Sequence, residues 1–240
     1  MNNQKAICLI TYKPNELNIE FLNNFINYDI FIIIDDNEND YKELKIKYEN
    51  IKFIQINNEN CLHYGFKNTN TITLNKVISG WDKALFFFSI IETSYHYIWF
   101  MEDDVYFYNE NSLMKIDNAY KNEDLLCNSS FDEAKLNEWL WNRIQIQFQS
   151  PYYCGMMCIC RFSKKMLQSI HDYAITNNTL FFLEALFPTI AVKYNLCYYK
   201  NPEEFITVTH HDSFNNQMFN KTNLYHPVKN IESHKLLRNE

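Results

Sequence analysis

Three consecutive acids, Glu102, Asp103 and Asp104, follow the apolar run 97–101 and precede the apolar run 105–107. Aromatic and β-branched residues of this kind predict a buried strand, so the acids come where the strand leaves its sheet. Side chains alternate along an extended chain, which places Glu102 and Asp104 on one side and Asp103 on the other. Clustered carboxylates repel one another unless a cation or hydrogen-bond donors offset them, and Mg²⁺ and Mn²⁺ prefer oxygen ligands. The triplet therefore indicates a metal site, with a solvated acidic turn as the alternative.

A second acidic pair, Asp35 and Asp36, follows the apolar segment 30–34, which also predicts a strand. The carboxyl ends of parallel strands open on one crevice, where ligands of such sheets bind. Both acidic clusters are therefore expected to face the same crevice. A plain turn is the alternative for this pair.

The elements that must position these acids alternate along the first half of the chain. Strand patterns at 6–11, 30–34 and 52–56 are separated by a helical pattern at 17–26 and by a further connection. Such alternation predicts an α/β fold with a mainly parallel sheet covered by helices. A long amphipathic pattern over 73–92 predicts a helix that leads into the acid-bearing strand.

The second half has a different character, with a polar, loop-rich segment first and a polar tail from residue 222. The remaining patterns predict helices over 133–148, 163–175 and 180–194 and strands over 152–160, 196–199 and 205–209. No linker divides the 240 residues, so we expect one domain.

Composition excludes several classes of protein. A formal net charge of -7 and the lack of a basic run oppose binding to nucleic acid. The polar N-terminal residues and the shortness of the longest apolar run, 84–91, predict neither a signal peptide nor a transmembrane anchor, and hence a cytoplasmic protein. Seven cysteines in a chain of this size predict reduced thiols. Cys154, Cys158 and Cys160 allow a zinc site, but no CxxC or histidine pair accompanies them.

The open α/β sheet, the acid that ends an early strand and the acidic triplet together resemble the GT-A-fold glycosyltransferases, which use nucleotide-sugar donors. The run 100–105 is similar to their DxD-type motif in its EDD form. The resemblance covers about residues 5–110 in layout, and only the triplet is specific. It implies a GT-A-like (Rossmann-like) fold in a single domain, with a nucleotide-sugar-binding half over 1–108 and a smaller acceptor half over 109–240.

The resemblance also implies roles for the acids. Asp104 would bind Mn²⁺ or Mg²⁺ at the donor diphosphate, while Glu102 or Asp103 would contact the ribose or the donor sugar. Four residues at the ends of the first two strands would lie near the base and the nucleoside: Thr11, Tyr12, Asp35 and Asp36. A metal held by one carboxylate and a diphosphate needs another protein ligand, for which His210, His211 and Asp212 are the candidates, of which at most two reach one ion. Surface histidines are the alternative.

Further residues gain candidate roles from the same resemblance. Glu184, a lone acid in the apolar helical stretch 180–188, is the candidate general base of an inverting transferase. Burial would raise its pKa and suit it to that role, whereas a Lys or Arg neighbour would indicate a structural ion pair. Lys83 either reaches the diphosphate or the sugar or belongs to a solvated helix face. His226 and Lys229, in the tail, are candidates to fold over the diphosphate as a lid.

The function implied by the resemblance is the metal-dependent transfer of a sugar from a nucleotide sugar, first of all a UDP-sugar, to a hydroxyl acceptor on a glycan or another molecule. A metal-dependent nucleotidyl or phosphoryl transferase is the first alternative, because acids at parallel strand ends suit either chemistry. The lack of a glycine-rich phosphate loop counts against it. A non-catalytic sugar-nucleotide-binding protein of the same fold is the second alternative.

Overall fold

Two sheets organise the chain in the computed structural model, which describes residues 4–128, 143–145, 148–149, 151–200, 202–207 and 219–239. The strands are β1 (Lys5–Thr11), β2 (Asp29–Ile34), β3 (Ile51–Gln55), β4 (Tyr97–Glu102), β5 (Tyr106–Phe107), β6 (Leu125–Asn128), β7 (Met156–Ser163), β8 (Tyr198–Lys200), β9 (Phe205–Thr207) and β10 (Leu224–His226). The helices are α1 (Glu16–Leu22), α2 (Lys42–Lys47), α3 (Asn58–His63), α4 (Gly80–Phe86), α5 (Glu110–Ala119), α6 (Lys164–Asn177), α7 (Leu183–Lys193) and α8 (Ile231–Asn239). A π-helical segment, Phe87–Ile91, continues α4.

The larger sheet has seven strands in the order β3-β2-β1-β4-β7-β6-β8. Its strands pair in parallel except β7, which runs antiparallel to both β4 and β6. Ala6 and Cys8 of β1 pack into the core on one face, and Ile7 and Leu9 into the core on the other. Burial of both faces explains why β1, β2 and β4 are continuous apolar runs in the sequence. The predicted α/β fold with a mainly parallel sheet is confirmed.

The smaller sheet has the order β5-β10-β9. β5 follows the acidic triplet directly and pairs antiparallel with β10, with Tyr106 opposite Tyr225 and Phe107 opposite Leu224. β10 pairs in parallel with β9 on its other side. This small sheet therefore brings the C-terminal segment back to the residues that follow β4.

The long helix predicted over 73–92 is wrong in its first part, because α4 begins only at Gly80. Lys76 has a φ of 60°, a left-handed conformation that interrupts a right-handed helix. The start is fixed instead by Ser79 and Asp82, since Asp82 Oδ2 accepts hydrogen bonds from the backbone N–H of Ser79 at 2.9 Å and from its hydroxyl at 2.8 Å. Helical periodicity alone did not reveal this cap.

Other boundaries also differ from the sequence prediction. The strand predicted over 152–160 begins later, as β7. The segment expected to be loop-rich with one short helix also contains β6, and the tail expected to be plain and polar contains β10 and α8. The helix predicted over 133–148 lies almost wholly outside the described residues. Two- to four-residue strands are too short to show a period of two, so their pairing depends on tertiary contacts.

The structure bears on three further features of the chain, which are its division into halves, its cysteines and its potential membrane spans. Strands from both sequence halves share the larger sheet, and the division near residue 108 stays a prediction. All seven cysteines are free thiols. Over the described ranges, no helix combines the length and the apolar composition needed to cross a bilayer.

Candidate functional site

A cavity of about 310 Å³ opens at the carboxyl ends of β1, β2 and β4. Its wall includes six of the predicted site residues: Thr11, Tyr12, Asp35, Glu102, Asp103 and Asp104. The start of α4 closes one side through Ser79, Gly80 and Trp81. Gly80 allows this close approach, because a Cβ there would lie 2.7 Å from Ile10 Cγ2 of β1. The crevice is therefore where the parallel sheet predicts it.

The acids of the triplet separate as strand alternation predicts. Asp103 turns towards β1, where its Oδ2 accepts a hydrogen bond from Thr11 Oγ1 at 2.5 Å, and its carbonyl oxygen accepts one from Asn18 Nδ2 at 3.1 Å. Burial raises the pKa of Asp103, and repulsion from Asp104 and Glu102 acts in the same direction against the Thr11 hydrogen bond. Asp103 therefore stabilises the cavity wall through its hydrogen bonds with Thr11 and Asn18.

Glu102 and Asp104 share the other side with His226. His226 Nε2 lies 3.2 Å from Asp104 Oδ1 and 3.7 Å from Glu102 Oε2. One ligand atom from each of these three residues lies within 4.8 Å of the others. Trp81 Nε1 donates a hydrogen bond to Glu102 Oε1 at 2.9 Å and so fixes the second carboxylate. We refer to Glu102, Asp104 and His226 as the Asp104 cluster.

The small sheet explains how a distant histidine reaches the triplet. The β5–β10 register places His226 one step beyond the Tyr225–Tyr106 pair, at the level of the residues that follow the acids. The backbone N–H of Val228 then donates to the carbonyl oxygen of Asp104 at 2.8 Å. Sequence analysis named His226 as part of a lid but missed this position. The three-residue strand that carries it has no recognisable pattern.

The Asp104 cluster is strongly polarised. Burial alone would lower the pKa of His226, but Asp104, Cys158 and Glu102 outweigh it and raise that pKa to about 11. Burial opposes ionisation of Asp104 too, yet His226 and Lys229 hold its pKa below the ordinary value. An imidazolium thus supplies the positive charge that the paired carboxylates need. A divalent cation would supply the same charge, and the ring would release its Nε2 proton to bind it.

The donor set fits a divalent cation. Asp104 Oδ1 is buried and receives no hydrogen bond from the described residues, although His226 Nε2 is near it. Such an atom is costly unless a ligand completes its coordination. Two carboxylates and an imidazole nitrogen are ligands that Mn²⁺, and less readily Mg²⁺, accepts.

On the β2 side of the cavity, Lys83 and Asp35 form a fixed pair. Lys83 Nζ lies 2.6 Å from Asp35 Oδ1 and donates to the Asp35 carbonyl oxygen at 2.7 Å. Lys83 is buried, so the alternative of a solvated helix face is wrong. The side chain is already engaged at the end of β2.

Asp36 has a different place from its neighbour. Its carboxylate accepts hydrogen bonds from Glu38 N at 2.8 Å, Asn39 Nδ2 at 2.5 Å and Tyr41 OH at 2.7 Å. The Tyr41 and Asn39 hydrogen bonds hold the pKa of Asp36 well below its usual range. Asp36 is absent from the cavity wall and organises the loop after β2, so the turn alternative describes it better than a nucleoside contact.

Glu184 lies in the first turn of α7, half-buried, and its carbonyl oxygen accepts a hydrogen bond from Gly155 N at 2.8 Å. Burial raises the pKa of Glu184 to about 7, and the charge of Glu102 adds to the effect while His226 opposes it. Over the described part of the chain, no lysine or arginine contributes to this shift or pairs with the carboxylate. A carboxyl group with this pKa exchanges a proton near neutral pH.

The other tail candidate, Lys229, is mostly exposed, with Nζ 3.8 Å from Asp104 Oδ2. His210, His211 and Asp212 lie outside the described residues, and their role as metal ligands stays a prediction. Trp81 and Cys158 contact the Asp104 cluster, at Glu102 and at His226 Nδ1 respectively, and sequence analysis assigned neither to it. Both look like ordinary core residues in the sequence, so only the three-dimensional contact identifies them.

No family model matches the chain. No curated protein matches it in sequence either. Among solved structures, the fold is similar to that of galactosyltransferase LgtC in complex with donor and acceptor sugar analogs, with a TM-score of 0.52 and 10% identity over 98% of this chain and 95% of that one. It is similar to the apo structure of the bifunctional glycosyltransferase WbbM, with a TM-score of 0.52 and 12% identity over 95% of this chain and 46% of that one.

A 4-diphosphocytidyl-2C-methyl-D-erythritol synthase from Anaerococcus prevotii aligns with a TM-score of 0.48 and 13% identity, over 82% of this chain and 86% of that one. At identities of 10–12%, similarity to LgtC and WbbM is evidence about the fold alone. It confirms the predicted GT-A-like fold.

Proposed function

We propose that this chain, built on a GT-A-type fold, is a metal-dependent glycosyltransferase that moves a sugar from a UDP-sugar to a hydroxyl group of a glycan or another acceptor. The convergence of Glu102, Asp104 and His226 beside the cavity at the strand ends carries the proposal. LgtC and WbbM are glycosyltransferases, and LgtC was solved with donor and acceptor sugar analogs, which supports it.

In this proposal Glu102, Asp104 and His226 hold Mn²⁺ at the cavity edge. When bound, the cation stabilises the negative charge that develops on the departing nucleoside diphosphate. Trp81 holds Glu102 in place through its indole N–H. His226 is thus a candidate imidazole ligand beside the predicted His210 and His211.

The opposite wall of the cavity receives the nucleoside. Tyr12 has 62% of its surface exposed at the cavity, so its ring is free to stack on a base. Lys83 holds Asp35 Oδ1, while Oδ2 remains able to accept a hydrogen bond from a ribose hydroxyl. The Thr11 hydroxyl donates a hydrogen bond to Asp103, and Thr11 lines the cavity between Tyr12 and Asp35.

Glu184 is the proposed general base. Its pKa of about 7 lets the carboxylate take a proton from an acceptor hydroxyl at neutral pH, and no ion pair with a described lysine or arginine holds it in a structural role. Helix α7 and the start of β7, joined at Glu184 and Gly155, support the acceptor side.

Calorimetry with UDP, with and without Mn²⁺, tests the donor site on the wild type, on His226→Gln and on His171→Gln. His171 lies beside Asp172 on α6, does not line the cavity and serves as the matched control. We expect Mn²⁺-dependent UDP binding in the wild type and the control, and a loss of at least about tenfold in His226→Gln. Folded wild-type protein that binds no nucleotide at any Mn²⁺ concentration would overturn the proposal.

The products then separate the alternatives. A glycosyltransferase releases UDP from a UDP-sugar when a hydroxyl acceptor is present. Release of pyrophosphate from a nucleoside triphosphate and a sugar phosphate would identify a nucleotidyl transferase instead. Mn²⁺-dependent binding without turnover on a broad panel of acceptors would indicate the non-catalytic alternative.

A further inference from the structure

A buried cysteine touches the histidine of the Asp104 cluster from behind. Cys158 Sγ lies 3.0 Å from His226 Nδ1, and the cysteine is 7% exposed. The antiparallel β4–β7 register pairs Met101 with Ile159, so one step further along the two strands come Glu102 and Cys158. The thiol therefore lies on the strand next to the acids, on the far side of the imidazole ring.

The two ring nitrogens of His226 face different partners. Nε2 faces Asp104 and Glu102, whereas Nδ1 faces the Cys158 sulfur. A histidine that binds a cation through Nε2 must offer the lone pair of that nitrogen, so the one proton of the neutral ring resides on Nδ1. The group that accepts this Nδ1 proton in a hydrogen bond then sets both the tautomer and the ring orientation.

We infer that Cys158 is a positioning residue for the cation site, because its sulfur accepts the Nδ1 hydrogen bond of His226 and keeps Nε2 aimed at Glu102 and Asp104. This inference rests on the proposed function. It adds a residue that touches neither the cation nor the substrate and acts only through His226.

The contact joins two sheets. His226 ends β10, which pairs with β5 and β9 in the small sheet. Cys158 belongs to β7, which is hydrogen-bonded on both sides within the large sheet. The sulfur–nitrogen contact therefore ties a ring from one sheet to the rigid strand pair that presents the acids.

The choice of sulfur also fits the local charge. A carboxylate behind a ligating histidine would add another negative charge to a site that already gathers Glu102, Asp103 and Asp104. A neutral thiol orients the ring without that addition, although sulfur is a weak acceptor. We therefore expect its contribution to lie in orientation and tautomer rather than in charge.

The test compares Cys158→Ala and Cys158→Ser with Cys160→Ala at one fixed pH. Cys160 is a buried thiol on the same strand with no histidine partner among the described residues, so it is the matched control. Titration of free Mn²⁺ by electron paramagnetic resonance gives the affinity. We expect a loss of about 10- to 100-fold for Cys158→Ala, and values within about threefold of the wild type for Cys158→Ser, whose hydroxyl also accepts, and for Cys160→Ala.

A second readout detects the tautomer itself. The ¹⁵N shifts of His226, recorded with diamagnetic Mg²⁺ and assigned by comparison with His226→Gln, report which nitrogen carries the proton. We expect a single species protonated at Nδ1 in the wild type and in Cys158→Ser, and a mixture in Cys158→Ala. A purely structural role of the thiol would lower the unfolding temperature without changing the tautomer. Cys158→Val, which fills the position with an apolar side chain that accepts no hydrogen bond, replaces the alanine variant if that variant does not fold.

The outcomes separate this inference from the proposed function. Wild-type affinity and an unchanged tautomer in Cys158→Ala, with normal Mn²⁺ binding by the wild type, would overturn the role of Cys158 and leave the cation site intact. A wild-type protein that binds no Mn²⁺, alone or with UDP, would overturn both.

Discussion

Two charged clusters lie beside the β4–β7 strand pair, and their carboxylates differ in how many hydrogen bonds and ion pairs they make. Around Asp117, which we call the Asp117 cluster, Oδ1 accepts hydrogen bonds from Arg161 at 2.7 Å and from Trp99 at 3.2 Å. Its Oδ2 accepts one from Tyr28 at 2.7 Å and lies 2.9 Å from the ammonium of Lys5. Both oxygens are fully engaged in the core of the fold.

The Asp104 cluster has the opposite balance. Two carboxylates meet one imidazole, Lys229 is mostly exposed, and Asp104 Oδ1 is buried and accepts no hydrogen bond from the described residues. Buried charges cost free energy unless they are paired, and a ligand can supply the missing partner. The comparison teaches that a buried acid does not by itself indicate a ligand site, and the carboxylate oxygen of Asp104 that accepts no hydrogen bond from the described residues supports the proposed cation site.

Asp117→Asn should break the satisfied cluster with the largest effect on stability. The substitution leaves the Arg161 guanidinium buried beside a neutral side chain, and breaking such a pair costs about 3–5 kcal/mol. Denaturant unfolding of the apo protein measures the change, with Mn²⁺ affinity as the second readout. We expect that affinity to stay at the wild-type value. A stability loss below about 1 kcal/mol would show that the Asp117 cluster is not structural.

Glu184→Gln should remove turnover while leaving the fold intact. Loss of a general base lowers kcat by about 10²- to 10³-fold, with little change in the KM for the donor. The wild-type rate should rise as pH passes about 7, because the base must be ionised, and the variant should lack this limb. Glu102 and His226 are the charged groups that act on Glu184.

The same shift has a consequence for stability. Because burial raises the folded pKa of Glu184 above its ordinary value, the protonated form favours the folded state, and its contribution is lost as pH rises through about 7. A Glu184→Gln variant that retained full activity and the same pH profile would remove Glu184 from the proposed chemistry.

Asp104→Asn is the counterpart of Asp117→Asn at the other cluster. It should lower Mn²⁺ affinity strongly and stability weakly, whereas Asp117→Asn should lower stability and leave Mn²⁺ affinity unchanged. We expect Mn²⁺ affinity to fall by about 100-fold, because a neutral amide is a poor ligand for a hard cation. The free energy of unfolding without metal should fall by less than in Asp117→Asn, because relief of the repulsion with Glu102 partly offsets the loss of the ion pair with His226. Equal destabilisation by the two substitutions would erase the distinction between the clusters.

Lys229→Ala should have the smallest effect. Its side chain is 62% exposed, with Nζ 3.8 Å from Asp104 Oδ2, and exposed ion pairs contribute about 0–1 kcal/mol. Removing a positive charge beside a cation site should raise Mn²⁺ affinity by less than about fivefold, and salt should reduce even that difference. A large loss of nucleotide affinity would instead give Lys229 a direct contact with the diphosphate.

The sequence was most informative for segments whose structure follows from their own residue pattern. β1, β2, β3 and β4 were predicted within a residue or two. In β1, β2 and β4 both faces are buried and the apolar runs are continuous, whereas in β3 the buried Ile51 and Phe53 alternate with the exposed Lys52. The separation of Asp103 from Glu102 and Asp104 followed from the same local geometry. These features need no knowledge of distant contacts.

The rest of the site depends on pairing between distant short segments. The proposed role of His226 depends on the pairing of the two-residue β5 with β10, and both strands are too short to show a periodic sequence pattern. Lys83 and Asp36 were assigned from charge and position, but their actual partners, Asp35 and the loop after β2, are set by close packing. Residue types indicated the chemistry, and tertiary contacts selected which residues take part.

The small sheet also bears on the order of events during synthesis. Chains emerge from the ribosome N-terminus first, so Glu102 and Asp104 are exposed to the cell long before β10 and His226 follow. Most strands of the large sheet are available by then, whereas the β5–β10 pairing is a contact between segments far apart in the chain. A nascent chain therefore presents only part of the proposed cation site, which gains His226 when β10 pairs with β5.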